Sequence, residues 1–139
     1  MSPPPPLAPR TTVYSHRVRY FEADQQGVVF NMWYLGFFDE AMTMYLEEGG
    51  VPYSKMLDAG LDMQLVHSEI DWTGSLRWPD TAEIEVSLAA VGRTSFSLKF
   101  DVKADGAQVA TGHTVYVVVA TDGSGKQPIP HLLRTALGE

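Results

Sequence analysis

The stretch from Asn31 to Glu48 constrains the fold of this chain more than any other part of the sequence. It carries apolar side chains at helical spacing: Tyr34, Phe37, Phe38, Ala41, Tyr45 and Leu46. Most of the remaining helical circumference is filled by further apolar side chains: Met32, Trp33, Leu35, Met42 and Met44. A helix that is apolar almost all round is typical of a buried element. The sequence therefore predicts that the rest of the chain covers this helix.

Segments with strand-like patterns lie on both sides of the helix. One strand is predicted before it, over Thr12–Tyr20, and a short surface helix after it, over Pro52–Gly60. Four further strands are predicted: Met63–Thr73, Ala82–Val91, Thr94–Val102 and Val109–Ala120. The Asp105-Gly106 pair is a strong hairpin signal. This order of elements indicates an α+β fold, with helix and antiparallel sheet in separate layers.

The N-terminal segment differs in composition from the rest of the chain. Residues 1–10 include four consecutive prolines, Pro3 to Pro6, so we expect a disordered or polyproline-like tail there and a single domain over residues 11–139. The segment has neither the basic region nor the apolar region of a secretory signal. No apolar run approaches the roughly 18 residues of a membrane span. We therefore expect a cytoplasmic protein with no membrane partner.

Composition excludes several classes of function. The formal net charge of -7 argues against a nucleic-acid partner, because phosphate neutralisation requires a basic surface. The absence of cysteine excludes disulfides, cysteine-ligated zinc and cysteine nucleophiles. The four histidines lack metal-ligand spacing, and no serine lies in a G-x-S-x-G motif. The sequence thus predicts neither a bound metal nor a serine hydrolase.

The segment between the first predicted strand and the helix contains the strongest candidates for chemistry. Asp24 lies in it, three residues before Gly27, and the predicted helix begins near Asn31. Free N–H groups at a helix start stabilise negative charge on a carbonyl oxygen, while a nearby carboxylate can act as nucleophile or general base. This pairing is typical of acyl transfer. An Asp before a Gly is also an ordinary turn, so the residues alone leave a structural role equally open.

A longer ordered pattern runs through this loop and the helix. It comprises Arg19-Tyr20, the run from Asp24 to Asn31, Tyr34, Phe38 and Asp39-Glu40-Ala41. The pattern resembles the hotdog-fold thioesterases of the 4-hydroxybenzoyl-CoA thioesterase family, and the resemblance extends loosely over Thr12–Pro130. It implies a hotdog fold, in which an antiparallel sheet wraps around a long central helix. It also implies an active site between subunits of a homodimer, which can assemble further into a homotetramer.

The resemblance implies an acyl-CoA thioesterase that releases a carboxylic acid and coenzyme A, with no separate cofactor. Asp24 then attacks the thioester or activates water, and the amide at Asn31 binds the thioester oxygen. Many relatives have His at the position of Asn31, so this chain departs from the family there. We also assign substrate contacts to two loop residues and two residues of a later turn: Gly27, Val29, Arg93 and Thr94. Arg77 or Lys99 are further candidates for contacts with the coenzyme A phosphates.

Other interpretations remain open on sequence grounds. The same pocket could bind acyl-CoA without turnover in a regulatory protein, and related hotdog proteins include hydratases and dehydratases. Asp39 and Glu40 could be catalytic, although a structural partner such as Arg19 or a neighbouring subunit explains them better. Three tryptophans could line an acyl pocket, although core packing is the stronger expectation: Trp33, Trp72 and Trp78.

Overall fold

The computed structural model describes residues 10–139, so the expected tail lies outside the described residues except for Arg10. The strands are β1 (Thr11–Arg17), β2 (Leu61–Trp72), β3 (Thr81–Val91), β4 (Ser95–Ala104) and β5 (Ala107–Ala120). The helices are α1 (Trp33–Glu48), α2 (Tyr53–Asp58) and α3 (His131–Leu137), with a short 3₁₀ helix over Tyr20–Glu22. Across residues 10–139, none of these helices is both long enough and apolar enough to cross a membrane.

The five strands form one antiparallel sheet in the order β1-β3-β4-β5-β2. Arg17 at the end of β1 lies opposite Thr81 at the start of β3. The predicted hairpin is confirmed, because Asp105 (φ 51°) and Gly106 (φ 79°) alone separate the paired residues Ala104 and Ala107. Two positive φ angles are what a two-residue hairpin turn of this kind requires.

Helix α1 packs one face against the sheet. Phe38 is fully buried and stacks on Phe100 of β4, with ring centroids 4.4 Å apart. A Cβ atom at Gly112 of β5 would lie 2.5 Å from the Phe38 ring, so only glycine fits beneath it. The expectation that the helix is buried nearly all round is wrong in part, because the described chain leaves Asp39 and Met44 exposed. A single sheet covers one face of α1, and within residues 10–139 the opposite face stays open.

Two further differences from the predicted elements have local causes. The first strand ends at Arg17 rather than Tyr20, because the Val18 N–H donates to the Asp80 carbonyl at 2.8 Å and the chain then turns. Helix α3 was not predicted at all, since seven residues are too few for a clear periodic pattern. Its stability comes from tertiary contacts. The Tyr45 hydroxyl of α1 donates to the Leu137 carbonyl at 2.6 Å.

Candidate active site

Asp24 lies in a short loop between the 3₁₀ helix and α1, and backbone hydrogen bonds close this loop. The Asp24 N–H donates to the Val28 carbonyl at 2.8 Å, and the Gly27 N–H donates to the Asp24 carbonyl at 2.9 Å. The Val29 N–H donates to the Leu76 carbonyl at 2.8 Å, which ties the loop to the segment before β3. Asp24 is therefore held in a defined turn.

The Asp24 side chain is exposed and has one internal partner. Its Oδ1 atom accepts the Gln26 N–H at 2.8 Å, an arrangement known as an Asx turn. Among residues 10–139, no side chain or backbone group donates to Oδ2. This second oxygen is therefore available to a ligand, a water molecule or a reacting carbonyl carbon.

The chain enters α1 with unpaired amides. The Trp33 N–H donates to the Phe30 carbonyl at 3.0 Å, and the Tyr34 N–H donates to the Asn31 carbonyl at 3.3 Å. The N–H groups of Asn31 and Met32 have no acceptor within the described part of the chain. Free amides at a helix start carry partial positive charge. They can polarise a carbonyl oxygen, and for Asn31 this depends on the backbone rather than the side chain.

A cavity of about 430 Å³ opens beside the Asp24 carboxylate. Its lining consists of Tyr20, Phe21, Ala23, Asp24, Gln25, Gly27 and Trp78. The aromatic members are well exposed, at 77% for Tyr20, 60% for Phe21 and 50% for Trp78. A cluster of exposed aromatic side chains on a folded protein marks a site for a ligand or partner. Neither Tyr20 nor Phe21 was predicted to line the site, whereas Trp78 was named as a candidate for an acyl pocket.

The three tryptophans are not core residues, so the expectation of core packing is wrong for all of them. Trp78 packs edge-on against Tyr20 at 5.5 Å between ring centroids, and Trp33 packs edge-on against Phe21 at 5.6 Å. Trp78 therefore lines the Asp24 cavity, whereas Trp33 lines a separate cavity with His16 and Glu22. Trp72 lies on β2 and is also exposed.

The four residues assigned to substrate contacts occupy different environments. Gly27 lines the cavity, with a φ of 78° that disfavours every other residue type. Val29 is only 3% exposed and its side chain belongs to the hydrophobic core. Because its amide is also taken, Val29 anchors the loop and does not present a side chain to the cavity. Its assignment as a substrate contact stays a prediction.

Arg93 and Thr94 lie in the turn between β3 and β4. The Arg93 carbonyl accepts the Ile129 N–H at 2.8 Å, and the Thr94 carbonyl accepts the Val118 N–H at 2.9 Å. The Asp24 loop lies at the opposite end of β3, and eleven residues of strand span about 30 Å. Within one chain, therefore, the structure does not bring Arg93 and Thr94 to Asp24.

The alternative cations are also separated from each other. Arg77 pairs with Val28 across an isolated β-bridge, and its Nη1 atom lies 3.7 Å from the position of a Cβ atom at Gly27. Lys99 lines a different cavity together with Glu69 and His113. Of the two, Arg77 is the cation beside the Asp24 loop.

Asp39 has a partner other than the expected Arg19. The Tyr116 hydroxyl donates to Asp39 Oδ1 at 3.1 Å. Although the residue as a whole is exposed, partial burial of its carboxyl group raises the pKa of Asp39 above its usual value. This carboxyl lines a separate cavity of about 370 Å³, with Met42 and Met63. No group of three His, Asp or Glu side chains in the described range is arranged to hold a metal ion.

Known proteins resemble this chain in both sequence and fold. A curated putative esterase from Aquifex aeolicus is 32% identical over 107 residues, which cover 77% of this chain and 84% of that protein. A 1,4-dihydroxy-2-naphthoyl-CoA hydrolase from Synechococcus elongatus is 26% identical over 119 residues, or 84% of this chain and 88% of the relative. A solved gentisyl-coenzyme A thioesterase superposes with a TM-score of 0.84 at 28% identity, covering 91% of this chain and 100% of that chain.

The family relationship covers nearly the whole folded region. A solved hypothetical protein from Aquifex aeolicus has a TM-score of 0.86 at 29% identity and covers 91% of this chain and 98% of that chain. The sequence profile of the Thioesterase-like superfamily, which has the hotdog fold, matches residues 18–137. The protein belongs to the Thioesterase-like superfamily.

Proposed function

We propose that the protein is an acyl-CoA thioesterase, which hydrolyses an acyl-CoA to a carboxylic acid and free coenzyme A. One observation carries the proposal: a carboxylate oxygen of Asp24 and the amides of Asn31 and Met32 are unpaired on the same short segment. A base or nucleophile together with donors for a developing oxyanion is the equipment for acyl transfer. Membership of the Thioesterase-like superfamily supports the same reaction.

The residues divide the work of thioester cleavage between them. The free amides bind the carbonyl oxygen, which gains negative charge when the carbon is attacked. Asp24 either attacks the carbon itself, forming a mixed anhydride that water then hydrolyses, or takes a proton from the attacking water. In both routes the carbon–sulfur bond breaks and coenzyme A leaves as the thiolate. The products and the proton balance are the same.

An aromatic acyl group is the substrate that we propose, as in the 4-hydroxybenzoyl-CoA branch of the superfamily. The aromatic side chains around Asp24 support it, because aromatic rings pack favourably edge-to-face or offset against one another. Two relatives, a gentisyl-coenzyme A thioesterase and a 1,4-dihydroxy-2-naphthoyl-CoA hydrolase, are also named for aromatic acyl-CoAs. A free coenzyme A ester is preferred over an acyl carrier protein, because the net charge of -7 would repel an acidic carrier.

A panel of acyl-CoAs tests this function directly. We expect thiol release from aromatic acyl-CoAs with a kcat/KM about tenfold above that of aliphatic esters of similar size, since ring packing contributes up to about 1.5 kcal/mol. Free thiol is followed with a chromogenic reagent, and the acid product is identified by mass spectrometry. Binding of every ester without release of thiol would contradict the proposal and favour a non-catalytic acyl-CoA-binding protein.

Gly27→Ala separates the role of the loop from general stability. Alanine fits the space at this position but not the φ of 78°, so we expect a loss of about 1 kcal/mol in unfolding free energy. We also expect kcat to fall about tenfold, because the turn that carries Asp24 is displaced. Gly123→Ala is the matched control, with a φ of 84° and open space around it. It should lose similar stability in urea unfolding but keep its kcat; equal kcat values for the two variants would contradict this role.

We propose a homodimer as the active assembly, with a homotetramer as its further association. Within residues 10–139, strand β2 pairs only with β5 and exposes Leu65 and Val66 along a sheet edge. Such edges are templates for pairing with another chain. A two-fold axis at this edge reverses the strands of the second copy, which places its Arg93 and Thr94 at the same end of the joined sheet as Asp24. In that dimer, α1 becomes the central helix of each half.

The substrate then contacts both subunits. Arg77 from the same chain and Arg93 from the second copy are the cations that we propose for the phosphates of coenzyme A, where charge-assisted hydrogen bonds are strong. Thr94 adds a hydroxyl beside Arg93.

No separate cofactor takes part, because coenzyme A is part of the substrate. We place the reaction in the cytoplasm, since acyl-CoA esters are intracellular metabolites.

A further inference from the structure

A buried acid and a buried histidine lie just before the Asp24 loop. His16 of β1 is 7% exposed and Glu22 of the 3₁₀ helix is 3% exposed. His16 Nε2 lies 2.8 Å and 3.1 Å from the two carboxylate oxygens of Glu22. The Arg19 N–H donates to the same carboxylate at 2.7 Å. No lysine or arginine side chain in residues 10–139 forms an ion pair with Glu22, so His16 is its side-chain partner.

The histidine ring is itself fixed by two neighbours. The Tyr14 hydroxyl lies 3.0 Å from His16 Nδ1 and can donate a hydrogen bond to it. Phe37 of α1 packs against the imidazole, with ring centroids 4.3 Å apart. A hydrogen bond received at Nδ1 leaves the ring proton on Nε2, where it points at Glu22. The orientation of this contact is therefore set by β1 and α1.

Glu22 joins this pair to the loop. Its carbonyl accepts the Phe30 N–H at 3.0 Å, and the next residue, Ala23, pairs with Val29 across the loop. Asp24 follows directly after this closing pair. In the described part of the chain, the Asp24 side chain forms a hydrogen bond only within its own turn, so its position relative to the start of α1 depends on the base of the loop.

We propose that His16 and Glu22 are positioning residues that hold the Asp24 loop against β1 and α1 in the geometry that hydrolysis requires. The inference rests on the proposed function. Burying an ionisable pair contributes little net stability, because desolvation offsets the attraction between the partners. A fixed geometry is what such a pair supplies when every member is hydrogen-bonded, as it is here.

Substitutions at the pair test this role through the split between kcat and KM. We expect Glu22→Ala and His16→Ala each to lower kcat by about 10- to 100-fold, with KM within about threefold of native. The double variant should lose little more than either single variant, because both remove one shared contact. Glu22→Gln keeps an oxygen that accepts both hydrogen bonds and should retain most of the activity. Rescue by this variant distinguishes geometry from simple destabilisation.

The controls separate failure of this inference from failure of the proposed function. Ser15→Ala, next to His16 on β1, removes an exposed hydrogen bond to Glu83 and should leave kcat unchanged. Each kcat is divided by the folded fraction measured by circular dichroism. Amide exchange over residues 23–30 should accelerate in Glu22→Ala and not in Ser15→Ala. If Glu22→Ala had the same kcat per folded molecule and the same amide-exchange rates as the native protein, the positioning role would be overturned. If the native protein hydrolyses no ester, the proposed function fails. The amide-exchange experiment still shows whether His16 and Glu22 hold the Asp24 loop in place.

Discussion

Asp24→Asn should lower kcat by about 100- to 10,000-fold, the range that loss of a positioned acid or base produces. The amide oxygen of Asn can still accept the Gln26 N–H, so the turn should survive. What the substitution removes is the negative charge and basicity of the carboxylate, whether it attacks carbon or activates water. We therefore expect acyl-CoA to bind Asp24→Asn with nearly native affinity, measured by calorimetry, while steady-state thiol release collapses.

Asp122 provides a matched control for this substitution. It sits in an exposed turn of the same kind, where its Oδ1 atom accepts the Ser124 N–H at 2.8 Å. This turn follows β5 and is not part of the Asp24 cavity. Asp122→Asn should therefore leave kcat and KM unchanged. A similar loss of kcat in both variants would show that turn geometry, rather than the chemistry of Asp24, limits the reaction.

Mixing Asp24→Asn with Arg93→Ala should restore activity that neither variant has alone. Arg93→Ala should reduce kcat/KM by about 10- to 100-fold, because a hydrogen bond to a charged phosphate contributes about 1.5–3 kcal/mol. If Asp24 and Arg93 of one site come from different chains, a mixed dimer contains one site with both native residues. Random assortment makes half of the dimers mixed, so about a quarter of native activity should return.

The complementation experiment uses differently tagged chains that are co-expressed and assayed at low substrate concentration. Lys103→Ala, on β4, replaces Arg93→Ala in the control mixture and removes a cation elsewhere on the sheet. A mixture of Asp24→Asn and Arg93→Ala that never exceeds the mean of its two parents would contradict the shared site. Light scattering on the same samples reports the oligomeric state.

Local sequence signals predicted most of the elements because their causes are local. The Asp105-Gly106 turn, the β-branched strands and the apolar stripe of α1 each depend on residues close together in the chain. The errors arose where a distant contact decides the outcome. Helix α3 exists because it packs on α1, and β1 stops at Arg17 because Val18 turns to bond Asp80.

The candidate site also contains residues that local sequence signals point to and residues that only a distant contact brings in. Asp24 and Asn31 could be proposed as site residues because both lie in one ordered motif beside a helix start. Trp78 was named only as an alternative to core packing, because it joins the cavity through the pairing of β1 with β3, which places residues before Thr81 next to those after Arg17. That register is a long-range property. Residues 77–80 lie immediately before β3 in the sequence. This position would have pointed to Trp78 as a site residue once the pairing of β3 with β1 was known.

A single-turnover experiment tests the central claim most directly. Native protein and Asp24→Asn are each mixed with an aromatic acyl-CoA, with the protein in excess over the ester. The bound ester, free acid and thiol are quantified after quenching. The account predicts that native protein converts the bound ester completely to acid and thiol in equal amounts. Asp24→Asn should hold the ester bound and intact over the same period. Equal rates of thiol release from the two proteins would contradict the account.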